Sequence, residues 1–238
     1  VSQLFRLNRA GAMRTAASIK AGKESNWGDS ANVDGFLSFS TALDESLAER
    51  VRITSDGNLK ISTSGKGIDF SAQTAPGVTV ANTSEVLDHY EEGSFEPLFA
   101  DNSGNTQALS ANYKRLRYVR IGSLVHISGY VGIESSGFTN LSGSDAVRLK
   151  GLPFTVAGNI PGTGTGYYRV PVNIGLVYGM QFGSGPFMVE GDVAYGETYI
   201  NLRVNDVTDT NSSQTTDLTV TELSNNGFFS LSFTYVCQ

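Results

Sequence analysis

"LRYVRIGSLVHISGYVGI", residues 116–133, decides how this chain folds. Its two halves alternate apolar and polar side chains with a period of two, the period of a half-buried strand. Between them sits Gly122-Ser123, a two-residue loop that suits a type II′ turn. The stretch reads as a β-hairpin. On its second strand Val125, Ile127, Val131 and Ile133 share one face, while Leu124, His126, Ser128 and Tyr130 share the other.

The same pattern recurs downstream. "DLTVTELSNNGFFSLSFTYVC" (217–237) carries an Asn-Asn-Gly turn and sets Phe229, Leu231, Phe233 and Tyr235 on one face. "GYYRVPVNIGLVYG", "GPFMVEGDVAYG" and "TYINLRV" read as further strands. Seven or eight strands with Gly, Pro and Asn connections predict a β-sandwich of jelly-roll type over residues 85–238.

Composition agrees with an all-β chain. Hydrophobic residues make up 39% and charged residues 17% of the 238, with 27 glycines. That mixture favours short strands joined by tight turns. The net charge of −6 argues against a nucleic-acid binder that works by neutralising phosphates. The imbalance is local: 9 Lys and Arg face 8 Asp and Glu before Glu85, and 8 face 15 from Glu85 onward. A single cysteine, Cys237, excludes an intrachain disulfide framework and reads as a small apolar residue ending a strand. No run of about 18 apolar residues is present, so no membrane-inserted segment is expected. The chain starts at Val1 with neither an initiator Met nor a signal segment, and it reads as a piece of something longer or a processed product.

Two zones precede the sandwich. Residues 1–50 hold alternating pieces such as "ASIKAG" and "GFLSFST" around the polar loop "KESNWGDSANVDG", which contains the single tryptophan, Trp27. "RAGAMRTAASIKAGK" has helical propensity, but it lacks a 3.6 period and is read as strand. "LDESLAER" (43–50) is expected to form a helical turn. Residues 51–84 pair Val51 with Ile53, Leu59 with Ile61, Ile68 with Phe70 and Val78 with Val80 around Asp-Gly, Ser-Gly and Pro-Gly turns. One copy of such a ribbon cannot offset the roughly 1–2 kcal/mol per residue that ordering its backbone costs. Winding with symmetric copies of itself is the economical remedy, so an obligate oligomer is expected.

Motifs for chemistry are weak. "LDHYEEGSFEPLF" (87–99) gathers Asp88, His89, Glu91, Glu92 and Glu96, but Glu91 and Glu92 are adjacent and point to opposite faces of a strand. It also lacks the His spacing of helical metal sites. It is read as a joint between ribbon and sandwich, with Tyr90, Phe95 and Leu98 docking the chain. Gly93 and Pro97 bend it there, and Glu91 and Glu92 stay wet. "GNIPGTGTG" (158–166) and "SGKG" (64–67) lack the Gly-Lys-Ser/Thr of a phosphate loop. "NDVTDTN" does not match a calcium loop. His89 and His126 belong to no nucleophile elbow. No cofactor, metal or catalytic residue is expected. Glu91 and Glu92, pointing to opposite faces, do not form the carboxylate pair of a glycosidase, and Asp69, Glu190 and Asp192 are weak candidates for glycoside cleavage. Tyr167, Tyr168, Tyr178, Tyr195 and Tyr199, at strand ends near Gly-rich loops, are the candidates for binding a sugar face.

"AASIKAGKESNWGDSANVDGFLSFSTAL", "SLAERVRITSDGNLKIS" and "GIDFSA" resemble a segment common in tail-fibre and related virion structural proteins of bacteriophages, especially marine phages. "VLDHYEEGSFEP" and "YVRIGSLVHISG" resemble the C-terminal module of the same proteins. The likeness covers most of residues 16–135 and is weaker beyond, where "GLPF" (151–154) and the final Phe-Thr-Tyr strand look similar. It implies a thin, intertwined homotrimeric β shaft with a distal head. That head would attach the virion to a host-surface receptor, a glycan or a protein, and the shaft would contact other tail proteins. It carries no catalytic residues. A purely structural fibre or decoration protein and a polysaccharide-degrading tailspike are the alternatives.

Overall fold

The computed structural model describes residues 1–25, 28, 33–70, 86–87, 89–134, 136–158, 169–179, 187–206, 215–223 and 226–237. They form two compact units, residues 1–88 and 89–238. The chain is all-β: the described residues hold strands and one 3₁₀ turn, Val220–Glu222.

In the first unit, β1 (Ser2–Arg9), β2 (Ala12–Lys23), β3 (Gly35–Leu43), β4 (Ser46–Ile53) and β5 (Leu59–Ile61) form an antiparallel meander in that order. β6 (Ile68–Asp69) pairs separately with β7 (Val86–Leu87). The expected strand at Val78 and Val80 lies outside the described residues, as does Trp27. β2 is a strand, as its alternation indicates. The helical turn expected at "LDESLAER" is not there. Asp44 and Glu45, with φ of 48° and 66°, form a two-residue hairpin loop, and the following residues enter β4. Pairing with β3 and β5 overrides a local propensity worth only tenths of a kcal/mol per residue. β4 also runs through the 50/51 boundary, so residues 1–50 and the start of the ribbon share one sheet.

Residues opposite one another in paired strands point to the same side, so the register sorts this sheet into two faces. Ile19, Phe39, Val51 and Ile61 form one cross-strand row, and Ala21, Leu37, Ile53 and Leu59 form the next. The other face carries Lys20, Ser38 and Arg52 in one row. That polar face is internally bonded: Arg52 grips Glu49 through Nε and Nη2 at 2.8 Å each, and Ser62 donates to Glu49 at 2.9 Å. Arg52 and then Ser62 hold the Glu49 carboxyl below its usual range, although desolvation opposes the shift. Phe36 lies on the bare backbone of Gly22, and the Arg52 guanidinium sits 3.7 Å above its ring.

The second unit contains β8 (Tyr90–Phe95), β9 (Leu98–Ala100), β10 (Thr106–Ala108), β11 (Leu116–Ile121), β12 (Leu124–Ile133), β13 (Arg148–Lys150), β14 (Arg169–Tyr178), β15 (Phe187–Ala194), β16 (Tyr199–Asp206), β17 (Thr215–Asp217) and β18 (Gly227–Val236). They make one curled sheet in the order β10-β9-β13-β16-β15-β14-β18-β12-β11-β8, with β17 beside β16. Two corners fold it. β14 pairs with β15 through Arg169–Val172 and with β18 from Asn173 onward, with an irregularity between Ile174 and Val177. Strands that change partners at bulges make such corners. At the second corner, Glu96 and Pro97 carry the chain from β8, at one end of the order, to β9 near the other end.

Between the two leaves lies one core. Val125, Ile127, Val131 and Ile133 of β12 are buried, as are Phe229, Leu231, Phe233 and Tyr235 of β18, so both expected faces hold. Phe99, Leu149, Val193, Ile200 and Leu202 complete the core from the opposite leaf. The β11–β12 loop has positive φ at Gly122 (58°) and not at Ser123, the φ pattern of a type II′ turn. Cys237 is buried just beyond β18.

Candidate aromatic groove

The outer face of the β11–β12–β18–β14 leaf is built of three cross-strand rows. Arg117, Ser128, Ser232 and Asn173 stand in register as a polar row. Tyr130 and Ser230 form the next. Gly132, Phe228 and Tyr178 form the third. Alternate residues lie about 7 Å apart along a strand, so the rows are parallel bands about that far apart.

The third band is aromatic because of Gly132. The loop before β11 is clipped over this residue: Ser110 N–H donates to the Gly132 carbonyl at 2.9 Å, and Gly132 N–H donates to the Tyr113 carbonyl at 2.9 Å. A Cβ at Gly132 would stand 2.8 Å from Tyr113 Cβ, so only glycine admits the loop so closely. Tyr113 then stacks on Phe228 with centroids 4.3 Å apart. Tyr178 stacks on Phe228 at 5.4 Å, and Tyr130 meets it edge-on at 5.8 Å. Phe228 is the hub, while Tyr130 and Tyr178 keep 46% and 67% of their surface in solvent.

Three adjoining hollows run along these bands. The largest, about 620 Å³, lies between Tyr113, Tyr130, Lys114, Arg115 and Arg117. A second of about 360 Å³ is floored by Ser128, Gly129, Gly175, Ser230 and Ser232. A third of about 320 Å³ opens between Tyr113, Tyr178, Phe228 and Glu134. At the bulge in β14 the Leu176 N–H donates to Ser230 Oγ at 2.9 Å. Glu96 bonds Arg115 at 2.9 Å and Lys114 at 3.2 Å, and these two cations hold its carboxyl below the usual range. Aromatic faces beside hydroxyls and an amide can take a ligand that has both an apolar and a polar side.

Of the five tyrosines singled out in the sequence, Tyr178 belongs to this groove. Tyr195 is exposed near Gly158, and Tyr199 carries the Arg148 guanidinium 4.6 Å above its ring. Tyr167 and Tyr168 lie outside the described residues. Tyr113, Tyr130 and Phe228 were not singled out. Tyr130 could have been, because the alternation of β12 already set it on the outer face; Tyr113 could not.

The "YEEG" stretch is a strand and not a turn. β8 runs through Glu91, Glu92 and Gly93 and pairs with β11, so the bend falls at Glu96–Pro97 alone. Gly93 makes room for the Tyr118 ring, which a Cβ would approach to 2.9 Å. Tyr118 donates to Glu91 and packs on Phe95, while Tyr90 is 68% exposed and donates to Glu92 at 3.2 Å.

Glu190 and Asp192 stand two residues apart on one face of β15. Asp69 lies on β6 in the first unit, and Glu190 and Asp192 on β15 in the second. Asp192 is buried, bonded by Arg203, Arg169 and Asn201. Burial opposes its charge, but the two guanidinium groups outweigh it and keep the carboxyl ionised below its usual range. A general acid needs the opposite shift. His126 shares a hydrogen bond of 3.0 Å with Thr234 on the outer face. Among the described residues no three His, Cys, Asp or Glu side chains gather as metal ligands, and no helix is long and apolar enough to cross a membrane.

No protein-family model matches the chain, and no curated protein matches it either.

Proposed function

We propose that this chain is a virion fibre protein of the bacteriophage tail type: a homotrimer whose first unit forms an intertwined shaft and whose second unit is a sandwich-like head that attaches to a glycan on the host surface. The observation that carries the reading is the open apolar face of the first unit. Leu37, Phe39, Ile53, Leu59 and Ile61 all stand on it exposed, and among the described residues of that unit the buried ones are two serines, Ser18 and Ser38. A contiguous apolar face of this extent is an interaction surface. Burying each such side chain is worth about 1.5–3 kcal/mol, and symmetric copies supply matching faces without a second gene product. The number three, the location on the virion tail and the other tail proteins as neighbours come from the sequence resemblance.

Attachment by such a fibre is non-covalent. Copies of one weak groove on a common support raise effective concentration and turn modest affinity into lasting adhesion. The aromatic bands beside serine hydroxyls supply the sugar-binding chemistry. Sedimentation equilibrium of the full chain tests the assembly, with a trimer mass expected down to micromolar concentration. Competition for adsorption tests the attachment: the purified chain should block virion binding to host cells. A stable, fully folded monomer or a failure to compete would overturn the reading.

A further inference from the structure

We propose that the groove takes an anionic saccharide, with Arg117 as the residue that recognises the charge. This rests on the reading of the second unit as a glycan-binding head, and adds the chemical class of the glycan.

Charge distribution is the first observation. From Glu85 onward the chain carries 8 basic against 15 acidic residues, yet Lys114, Arg115, Arg117 and Arg120 fall within seven positions. Three of the four line the largest hollow. Arg120 is turned elsewhere, donating to the Gly122 carbonyl at 2.8 Å and lying over the Phe154 ring. On an acidic unit, a cluster of basic residues is the favoured place for a polyanion to dock.

Partnering is the second. Glu96 already holds Lys114 and Arg115. Arg117 has no ion pair or side-chain hydrogen bond among the described residues and is exposed in the polar band between Ser94 of β8 and Ser128 of β12, with Glu92 its diagonal neighbour on β8. A guanidinium presents two parallel N–H donors that match a carboxylate or a sulfate or phosphate ester, and among the described residues Arg117 is bonded to no such group.

Position is the third. Arg117 is directly opposite Ser128, and Tyr130 is the diagonal neighbour, about 7 Å away. A sugar ring laid on Tyr130 would therefore present an anionic substituent to Arg117 and its hydroxyls to Ser128 and Ser232. The polar band crosses four strands from Arg117 to Asn173, about 14 Å, which accommodates more than one ring.

The test uses the full chain and three soluble polysaccharides: alginate for a carboxylate, dextran sulfate for a sulfate ester and unmodified dextran as the neutral case. Calorimetric titration is expected to show one or both anionic polymers binding at least about tenfold more tightly than dextran, with affinity falling as salt rises. The preferred anionic polymer identifies the substituent. Arg117→Gln should remove about tenfold of that preference, Tyr130→Ala should weaken every polymer, and Arg120→Gln should change neither. Sedimentation and thermal melting of each variant establish that fold and assembly are intact. Equal binding of neutral and anionic polymers, or a preference that survives Arg117→Gln, overturns the assignment of charge while leaving glycan attachment standing. Binding to none of the three, by a chain that still blocks virion adsorption, overturns the anionic-saccharide groove alone. A chain that neither binds them nor blocks adsorption overturns both.

Discussion

Ile127 and Phe39 hold the same kind of position, a central residue on the apolar face of an antiparallel strand. Ile127 is fully buried and Phe39 is 39% exposed. The difference is not in the strands: both units are antiparallel, alternating and closed by tight turns. It lies in the opposite leaf. The second unit turns its sheet back at β14 and at Pro97, so one half covers the other. The first unit is a five-stranded meander with a separate β6–β7 pair, and the apolar face of the meander is left exposed. A sheet with one apolar face needs a second layer, and in the proposed fibre other copies of the chain supply it.

The largest effect should come from charging that open face. Phe39→Asp in the full chain is expected to drop the sedimenting species to a monomer, while the near-ultraviolet circular dichroism of the second unit stays unchanged. An oligomer that survives this substitution breaks the comparison.

Next comes the core of the second unit. Phe229→Ala removes a fully enclosed ring and should cost about 3–5 kcal/mol in urea unfolding, with a midpoint independent of protein concentration. Phe39→Ala should instead give a midpoint that rises with concentration, since its loss is felt through assembly. If the two mutants respond alike to concentration, the units do not differ in the way described.

Asp192→Asn is expected to cost on the order of 2 kcal/mol, because Arg169 and Arg203 lose their shared carboxylate. The pH dependence has a fixed sign. Asp192 is held below its unfolded pKa, so its contribution is complete above about pH 4 and fades as pH falls through the folded value. Urea midpoints taken between pH 6 and pH 3 should therefore decline less steeply in Asp192→Asn than in the unmodified chain. Equal slopes would remove the ion-pair cluster from the account.

The smallest effect belongs to the polar face of the first unit. In Gly22→Ala the new methyl would stand 2.3 Å from the Phe36 ring, which must shift from beneath Arg52. A loss of about 1 kcal/mol in the stability of the assembly, read by thermal melting at fixed concentration, is expected.

Much of the fold was legible in the residues. Alternation identified both faces of β12 and β18, and Gly122-Ser123 marked the type of the β11–β12 turn. "LDESLAER" was misread because Leu, Ala, Glu and Arg favour helices locally, while the pairing of β4 with two neighbours is a longer-range effect. Gly93 was misread as a bend for a similar reason: a glycine signals freedom, but here its lack of a side chain serves the Tyr118 ring. The groove was half visible. Tyr178 was marked by its position at a strand end, whereas its partner Phe228 is some fifty residues away and Tyr113 further still.

By itself the sequence determined the class of structure and the two faces of β12 and β18, because both follow from side-chain periodicity within a few residues. Only the tertiary structure decided that Tyr113, Tyr130, Tyr178 and Phe228 meet, and that Arg117 stands in a polar band beside them. Those meetings depend on the register between strands distant in the chain. Register is set jointly by the packing of the whole core, and a slip of one residue would turn every side chain on a strand to the other face.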